Sequence, residues 1–170
     1  NSWDYMYMTD KDDEVEGAGL PIVVWRDSNG KGEMAFVVPN KGECEYAICR
    51  GAQDVCKILG YNKMNFRGDQ EPALRTMMGR IKMLCGDQCT LEDTPVGESA
   101  SNGDVEGAVK RIQGHYRTVK LDLEASYGHA VPNDHPSLPW LVRHASSTRF
   151  RESVGLDGMT AYKRVKGRDF

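Results

Sequence analysis

The stretch "ESASNGDVEGAVKRIQGHYRTVK", residues 98–120, decides the fold because it predicts one long helix with two distinct faces. Apolar residues recur in steps of three and four and predict a buried stripe, which continues past the quoted stretch. Its members are Val105, Val109, Ile112, Tyr116, Val119 and Leu123. A neighbouring polar stripe uses the same steps and consists of Glu106, Lys110, Gln113 and Arg117. We therefore predict a helix over 103–126 that presents the Glu106 carboxylate in its first turn.

The rest of the chain alternates between strand and helix patterns. Apolar or alternating runs predict strands at 3–9, 20–28, 33–39, 62–68 and 88–96. Helical spacing predicts helices at 42–60, ended by Gly60, at 71–85, with Pro72 in the first turn, and at 135–155. The acidic run at 10–16 predicts a solvated loop. This order predicts an α/β fold with a five-stranded mixed sheet flanked by helices, forming one domain over 1–155. Residues 156–170 are expected to be a basic helical start or linker.

The composition of the chain is that of a globular domain rather than of a membrane or disulfide-rich secreted protein. The chain has 170 residues, 39% of them hydrophobic and 28% charged, which suits a globular domain. No apolar run approaches the ~18–20 residues of a membrane span, so no membrane partner is expected. The five cysteines, without a secretory signal, predict reduced thiols and an intracellular location. They do not have the paired spacing of a structural zinc site.

Three carboxylates come from separate predicted elements. Asp4 lies in the first strand, Asp69 directly follows the fourth strand, and Glu106 opens the long helix. Magnesium prefers such hard oxygen ligands, and two ions held ~3.5–4 Å apart promote in-line displacement at phosphorus. Cations along the same helix would hold a phosphate backbone nearby. Two structural alternatives remain open, since Asp69 could cap the helix at 71 and Glu106 could interact with the helix dipole.

The motifs around these acids resemble those of retroviral and retrotransposon integrases. Asp4, Asp69 and, after 36 intervening residues, Glu106 resemble the family's D,D-35-E pattern. "SASNGDVEGAVKRIQG" (99–114) is similar to the family's SNG-x-VE segment, and "WDYMYM" (3–8) to its first-aspartate strand. "FRGDQEPAL" (66–74) resembles the second-aspartate segment of copia-like elements. "HPSLPWLVRHASSTRFRESVGLDGMTAYKRVKGR" (135–168) is similar to the later helices and the G-x-TPY-x-R-x-KG ending of retrotransposon polyproteins.

The resemblance implies a ribonuclease-H-like fold and the activity of an integrase catalytic core. It implies Mg²⁺- or Mn²⁺-dependent 3′-end processing of element DNA and strand transfer into target DNA, with Asp4 on both metals, Asp69 on one and Glu106 on the other. Lys110 matches a DNA-binding lysine of the family. We expect Gln113 and Arg117 to face DNA too. A homodimer or higher oligomer is expected, paired through helices 42–60 and 103–126, in the nucleus or in a cytoplasmic element particle.

Two other functions fit the same residues. A different metal nuclease with the ribonuclease-H-like fold would use a late histidine or acid, for which His129 and Asp134 are the candidates. A domesticated domain could keep the fold and only bind DNA.

The small polar residues between Gly97 and Gly103 predict a mobile loop. We expect this loop and the first helical turn to act as a hinged lid that carries Glu106 to the metals when DNA is present.

Overall fold

One mixed sheet forms the centre of the computed structural model, which describes residues 1–8, 19–92, 99–132 and 134–170. Its five strands are β1 (Ser2–Met6), β2 (Ile22–Arg26), β3 (Glu33–Val37), β4 (Met64–Gly68) and β5 (Cys89–Leu91), in the order β3-β2-β1-β4-β5. β1 and β3 are antiparallel to β2, while β4 is parallel to β1 and β5 to β4. The predicted five-stranded mixed sheet is therefore confirmed. The predicted loop at 10–16 lies outside the described residues.

Helices flank this sheet, as predicted. They are α1 (Glu45–Gln53), α2 (Pro72–Cys85), α3 (Ser99–Tyr127), α4 (Leu138–Glu152) and α5 (Ala161–Lys166). The predicted helix at 42–60 is shorter at its start, and after α1 it continues as a π-helical segment over Asp54–Leu59. Gly60 ends that segment with a φ of 65°, and Pro72 opens α2, both as predicted. Among the described residues, none of these helices has the length and apolar character needed to cross a bilayer.

The start of α3 differs from the prediction. The helix begins at Ser99, so Glu106 lies about two turns inside it rather than in the first turn, and Gly103 is helical rather than part of a loop. The physical reason is cooperativity, because extending an existing helix adds one hydrogen bond for each residue ordered. A glycine inside a helix costs only about 1 kcal/mol relative to alanine. The predicted loop is therefore helical over 99–103, while residues 97 and 98 lie outside the described residues, and the hinged lid stays a prediction.

The sheet separates two apolar cores. Trp3 and Tyr5 of β1 face the core beneath α1 and α2, whereas Met6 faces the core beneath α3 and α4. Successive side chains of a strand point to opposite faces, so Asp4 lies on the α3 face together with Met6. The predicted stripe of α3 is confirmed, since Val105, Ile112 and Tyr116 are buried, and its other members are partly buried: Val109, Val119 and Leu123. Ala108, which was not predicted, is buried beside them.

Two glycines allow the helices above the first core to approach closely. A Cβ at Gly51 of α1 would lie 2.5 Å from the Ile81 Cδ1 of α2. A Cβ at Gly68, the last residue of β4, would lie 2.9 Å from the Leu74 Cδ2. Any larger residue at Gly68 would force the ends of the Leu74 and Met78 side chains to move. Gly68 therefore lets the side chains of α2 pack closely against the residue before Asp69.

The C-terminal segment packs onto the sheet domain. α5 lies against α4, and Ala161 is buried in the core beneath α1 and α2. Thr160 caps α5, since its side chain accepts a hydrogen bond from the Lys163 backbone N–H at 3.1 Å. The helical start predicted after residue 156 is present, and the domain boundary at 155 stays a prediction.

Candidate active site

The register of the sheet places Asp4 and Asp69 side by side. Trp3 of β1 is paired with Gly68 of β4 in parallel, and each aspartate is the next residue of its chain. Neighbouring strands are about 4.8 Å apart, so the two aspartates occupy adjacent positions, Asp4 within β1 and Asp69 directly after the end of β4. Each carboxylate accepts a hydrogen bond from the backbone N–H of the following residue, at 2.7 Å. Asp69 therefore does not cap α2 through its side chain; it is exposed and lines a groove of about 300 Å³.

Asp4 carries the clearest electrostatic signal of a shared acidic site. Its pKa is raised to about 6, mainly because burial disfavours the charged form. The negative charges of Asp69, Glu71 and Glu106 raise the pKa further, while the hydrogen bond from the Tyr5 backbone lowers it. Both of the other acids predicted from sequence thus lie near enough to affect the Asp4 carboxyl. Glu71 is a fourth carboxylate in the same neighbourhood.

The first turns of α3 are held against the sheet by an acid that sequence analysis missed. Asp104 accepts hydrogen bonds from the Arg26 Nε at 3.2 Å and from the Ser28 hydroxyl at 2.8 Å. Burial alone would raise the pKa of Asp104, but Ser28 and Arg26 hold it below its usual range. Arg26 ends β2 beside the start of β1. This part of α3 is therefore attached to the sheet two residues before Glu106.

The polar stripe of α3 runs along β1. At one end Asp104 lies near the start of β1, and further along α3 the Gln113 Nε2 donates a hydrogen bond to the Tyr7 carbonyl at 3.2 Å. Glu106 and Lys110 are exposed between these two contacts, and Arg117 is exposed beyond them. Because the Gln113 amide donates this hydrogen bond to Tyr7, part of its hydrogen-bonding capacity is already taken within the chain. Glu106, Lys110 and Arg117 remain the outward-facing members of the stripe.

A lysine outside the predicted site completes its surroundings. The Lys41 Nζ lies 2.8 Å from the Glu71 Oε1 and within 5.0 Å and 5.5 Å of the ring centres of Tyr5 and Tyr7. The hydrogen bond that Lys41 donates to the Glu71 carboxylate is the main reason why the pKa of Lys41 is raised. Glu71 begins α2 without capping it through its side chain. The loop sequence around Lys41 contains no motif that would have predicted this pair.

His129 and Asp134, the candidate metal ligands of a ribonuclease-H-type nuclease, lie far from the three carboxylates. His129 follows the C-terminal end of α3, whereas Glu106 lies near the start of that helix. At 1.5 Å per residue, the helix between them spans about 30 Å. Asp134 lines a groove with Tyr116 and Met8 at the other end of β1. Neither residue joins the carboxylates.

The residues present suit a hard divalent cation. The pKa of Asp4 is raised mainly by burial and further by like charges, and a bound cation would favour its charged form against both. The donors are carboxylate oxygens, which magnesium and manganese prefer. Within the described parts of the chain, no three acidic, histidine or cysteine side chains stand close enough to hold one ion in this conformation. Side-chain rotation would have to accompany metal binding.

Two solved integrase cores have an architecture similar to that of this chain. The fold is similar to that of the catalytic core domain of BIV integrase, with a TM-score of 0.67 and 16% identity over 98% of this chain and 92% of that chain. The fold of this chain is that seen in retroviral integrase catalytic cores. The HTLV-2 integrase catalytic core domain in complex with magnesium, in a trimeric form, gives a TM-score of 0.66 at 16% identity over 96% of this chain and 95% of that chain. No protein-family model matches the sequence, and no curated protein is similar to it in sequence.

The raised pKa of Asp4 gives a testable pH dependence. Between about pH 4 and about pH 6 the folded protein keeps a proton that the unfolded chain has lost, so Asp4 makes the protein less stable as the pH rises. We expect Asp4→Asn to raise the free energy of unfolding by about 2 kcal/mol at neutral pH, and by much less at pH 4. The measurement is urea unfolding in EDTA across this range.

Asp122→Asn is the matched control, because Asp122 is an exposed acid on α3 away from the site. This variant should show the wild-type pH dependence. A constant difference in stability between Asp4→Asn and wild type from pH 4 to pH 8 would contradict the role of buried, repelling charge at Asp4.

Proposed function

We propose that this chain is the catalytic core of an integrase that trims the 3′ ends of element DNA and joins them to target DNA. The observation that supports the proposal is that Asp69, after β4, and Glu106, on α3, are both near enough to Asp4 of β1 for their charges to raise its pKa. The likeness to integrase cores in fold supports it. The SNG-x-VE-like and "FRGDQEPAL" segments lead us to propose a copia-like retrotransposon polyprotein as the source.

Asp4, Asp69 and Glu106 would hold the divalent ions, Mg²⁺ or Mn²⁺. When bound, a pair of ions activates the attacking oxygen and stabilises the leaving oxygen of an in-line displacement at phosphorus. Asp4 must give up its proton for this, because a ligand carboxylate binds metal in its charged form. We therefore propose that metal binding weakens below about pH 6, the pKa of Asp4.

The two steps share one substitution at phosphorus. In the first, a water oxygen forms a bond to the phosphorus near the element end, and the bond to the 3′-oxygen breaks and leaves a 3′-hydroxyl. In the second, that 3′-hydroxyl attacks a target phosphorus and displaces the target's 3′-oxygen, which takes up a proton. Lys110 and Arg117 would hold the adjacent phosphates, since both are exposed on the stripe that carries Glu106.

A joining assay tests the proposal. A labelled duplex with the element's terminal sequence is incubated with a target plasmid and Mg²⁺ or Mn²⁺. We expect trimmed ends and joined products with either metal, and neither with EDTA or with the Asp69→Asn protein. Cut DNA without joined products would favour a general metal nuclease. DNA binding without cutting would favour a domesticated binding domain.

Lys110 gives a prediction about DNA affinity. It lies one turn after Glu106 on the same stripe and is exposed. We expect Lys110→Glu to weaken duplex binding and to reduce the slope of log affinity against log salt by about one, because one phosphate contact is lost. Lys63→Glu makes the same charge change at an exposed position before β4 and should keep the wild-type slope. Equal slopes for the two variants would exclude this role for Lys110.

We also propose that the core pairs in a two-fold manner through the region of α1 and α3, and that it acts in the nucleus or in a cytoplasmic element particle. Two element ends need at least two active sites, and a closed two-fold dimer supplies them. Sedimentation at rising concentration should show a dimer or larger species. A protein that stays monomeric throughout would contradict pairing of the core alone.

A further inference from the structure

Three of the five cysteines lie together at one end of the layer formed by α1 and α2. Cys56 belongs to the π-helical segment after α1, Cys85 is the last residue of α2, and Cys89 is the first residue of β5. The Cys56 Sγ lies 3.3 Å from the Cys85 Sγ, and Cys85 also has a hydrogen bond with Cys89. Cys56 and Cys85 are 29 positions apart in the chain, so tertiary packing alone brings their sulfurs together.

The two sulfurs of the closest pair differ in their access to solvent. Cys56 is exposed, whereas the Cys85 side chain is buried in the core beneath α1 and α2. Burial raises the pKa of the Cys85 thiol well above its usual range, and the hydrogen bond with Cys56 raises it further. The thiolate is the reactive form of cysteine. A dissolved oxidant would therefore react first with Cys56, and Cys85 would react through Cys56.

The Cys56 side chain contacts α2 and not the helices at the end of the chain. Asp54, two residues earlier in the same segment, instead accepts hydrogen bonds from Arg143 of α4 at 2.7 and 2.8 Å. A bond between Cys56 and Cys85 would join this segment to α2 within one chain, without using the surfaces of α4 and α5. π-helical turns are rare and are frequently found at functional sites.

The geometry suits a disulfide better than a metal ion. Structural zinc takes four ligands in a tetrahedral arrangement. In the parts of the chain that the structure describes, no group of three acidic, histidine or cysteine side chains is arranged to hold an ion. The two sulfurs of Cys56 and Cys85, in contrast, need to approach by only about 1.2 Å to reach the bond length of a disulfide.

We propose that Cys56 and Cys85 are a reversible oxidation site, which forms an intramolecular disulfide when the protein meets hydrogen peroxide. In the first step the Cys56 sulfur forms a bond to one peroxide oxygen and the O–O bond breaks. Cys56 becomes a sulfenic acid, and the other oxygen leaves with the thiol proton as water. In the second step the Cys85 sulfur forms a bond to the Cys56 sulfur and the S–O bond breaks, so that the oxygen leaves with the Cys85 proton as a second water. Two thiols are oxidised and one peroxide is reduced.

The disulfide would strengthen the layer formed by α1 and α2. A cross-link between residues 29 positions apart restricts the unfolded chain, so we expect the oxidised protein to melt about 5–15 °C higher than the reduced protein. Asp69 precedes α2 and Cys85 ends it, so about 20 Å of helix separates this pair from that carboxylate. The site therefore depends neither on the carboxylates nor on the integrase activity proposed above.

Counting the free thiols after oxidation tests the proposal. The reduced chain is treated with hydrogen peroxide, the remaining thiols are blocked with N-ethylmaleimide, and the masses of the intact protein and of its peptides are measured. We expect the wild-type protein to lose two of its five thiols and to yield one linked peptide pair that contains Cys56 and Cys85. Dithiothreitol should restore both thiols and reverse the rise in melting temperature.

Two serine variants make the test specific. Cys56→Ser should abolish both the linked peptide pair and the rise in melting temperature, and it should fold normally because Cys56 is exposed. Cys49→Ser is the matched control, since Cys49 is an exposed cysteine of α1, and it should keep both effects. A disulfide from Cys56 to Cys89, or one between two copies of the chain, would overturn the proposal. Oxidation of Cys56 to a sulfinic acid while Cys85 stays a thiol would also overturn it.

Discussion

Glu106→Gln is expected to reduce DNA cutting and joining by at least about 10³-fold while leaving the fold intact. Metal-held charge stabilises the transition state by several kcal/mol, and each 1.4 kcal/mol corresponds to a tenfold change in rate. The substitution keeps the shape of the side chain and removes one negative charge from the ligand set. Glu106 is exposed, so its change should not disturb the core. The measurement is the initial rate of end trimming with Mg²⁺ at saturating DNA.

The matched control is again Asp122→Asn, which makes the same acid-to-amide change on the exposed side of α3. It should trim DNA at the wild-type rate, and both variants should bind duplex DNA as tightly as the wild type does. Because Asp104 holds this part of α3 against β2 two residues before Glu106, we expect the substitution at Glu106 to leave the helix in place. A Glu106→Gln protein that trims DNA at a near-normal rate would exclude Glu106 as a metal ligand.

A second large effect is expected for Glu33→Gln, which should lower the free energy of unfolding. This carboxylate on β3 is 4% exposed and receives hydrogen bonds from the Arg149 Nε at 2.8 Å and from the Arg111 Nη2 at 2.8 Å. The Arg26 Nη1 lies 3.6 Å away. Removing one partner of a buried ion pair costs about 3–5 kcal/mol, since the remaining charges are left uncompensated. We expect Glu33→Gln to lose that much free energy of unfolding, measured by urea titration.

In a chain of this size such a loss lowers the melting temperature by about 2–4 °C per kcal/mol, or roughly 6–20 °C in total. Glu92→Gln is the control, because Glu92 pairs with Arg67 at the surface, where an ion pair contributes about 1 kcal/mol or less. Three arginines left facing one another also repel, so added salt should recover part of the stability of Glu33→Gln. A loss no larger than that of Glu92→Gln would show that Glu33 does not hold α3 and α4 to the sheet.

Periodicity in the sequence determined the elements and the faces of the long helix. The alternation in β1 and the steps of three and four in α3 are local properties, because a side chain's direction depends on its place in its own strand or helix. The burial of Val105 and Ile112 and the exposure of Glu106 and Lys110 follow from that pattern alone. The order of strands and helices likewise predicted a five-stranded mixed sheet, which the structure has.

The tertiary structure decided which of these elements meet. Asp4 and Asp69 become neighbours only through the parallel pairing of β1 with β4, and Glu33 meets arginines 78 and 116 positions away. The contacts of Asp104 with Arg26 and Ser28 also join distant segments. They have no sequence signal, because a charged residue on an amphipathic element has the same local pattern whether it faces water or a distant partner. Sequence periodicity therefore determined the direction of each side chain, and the packing of the whole chain determined what lies opposite it.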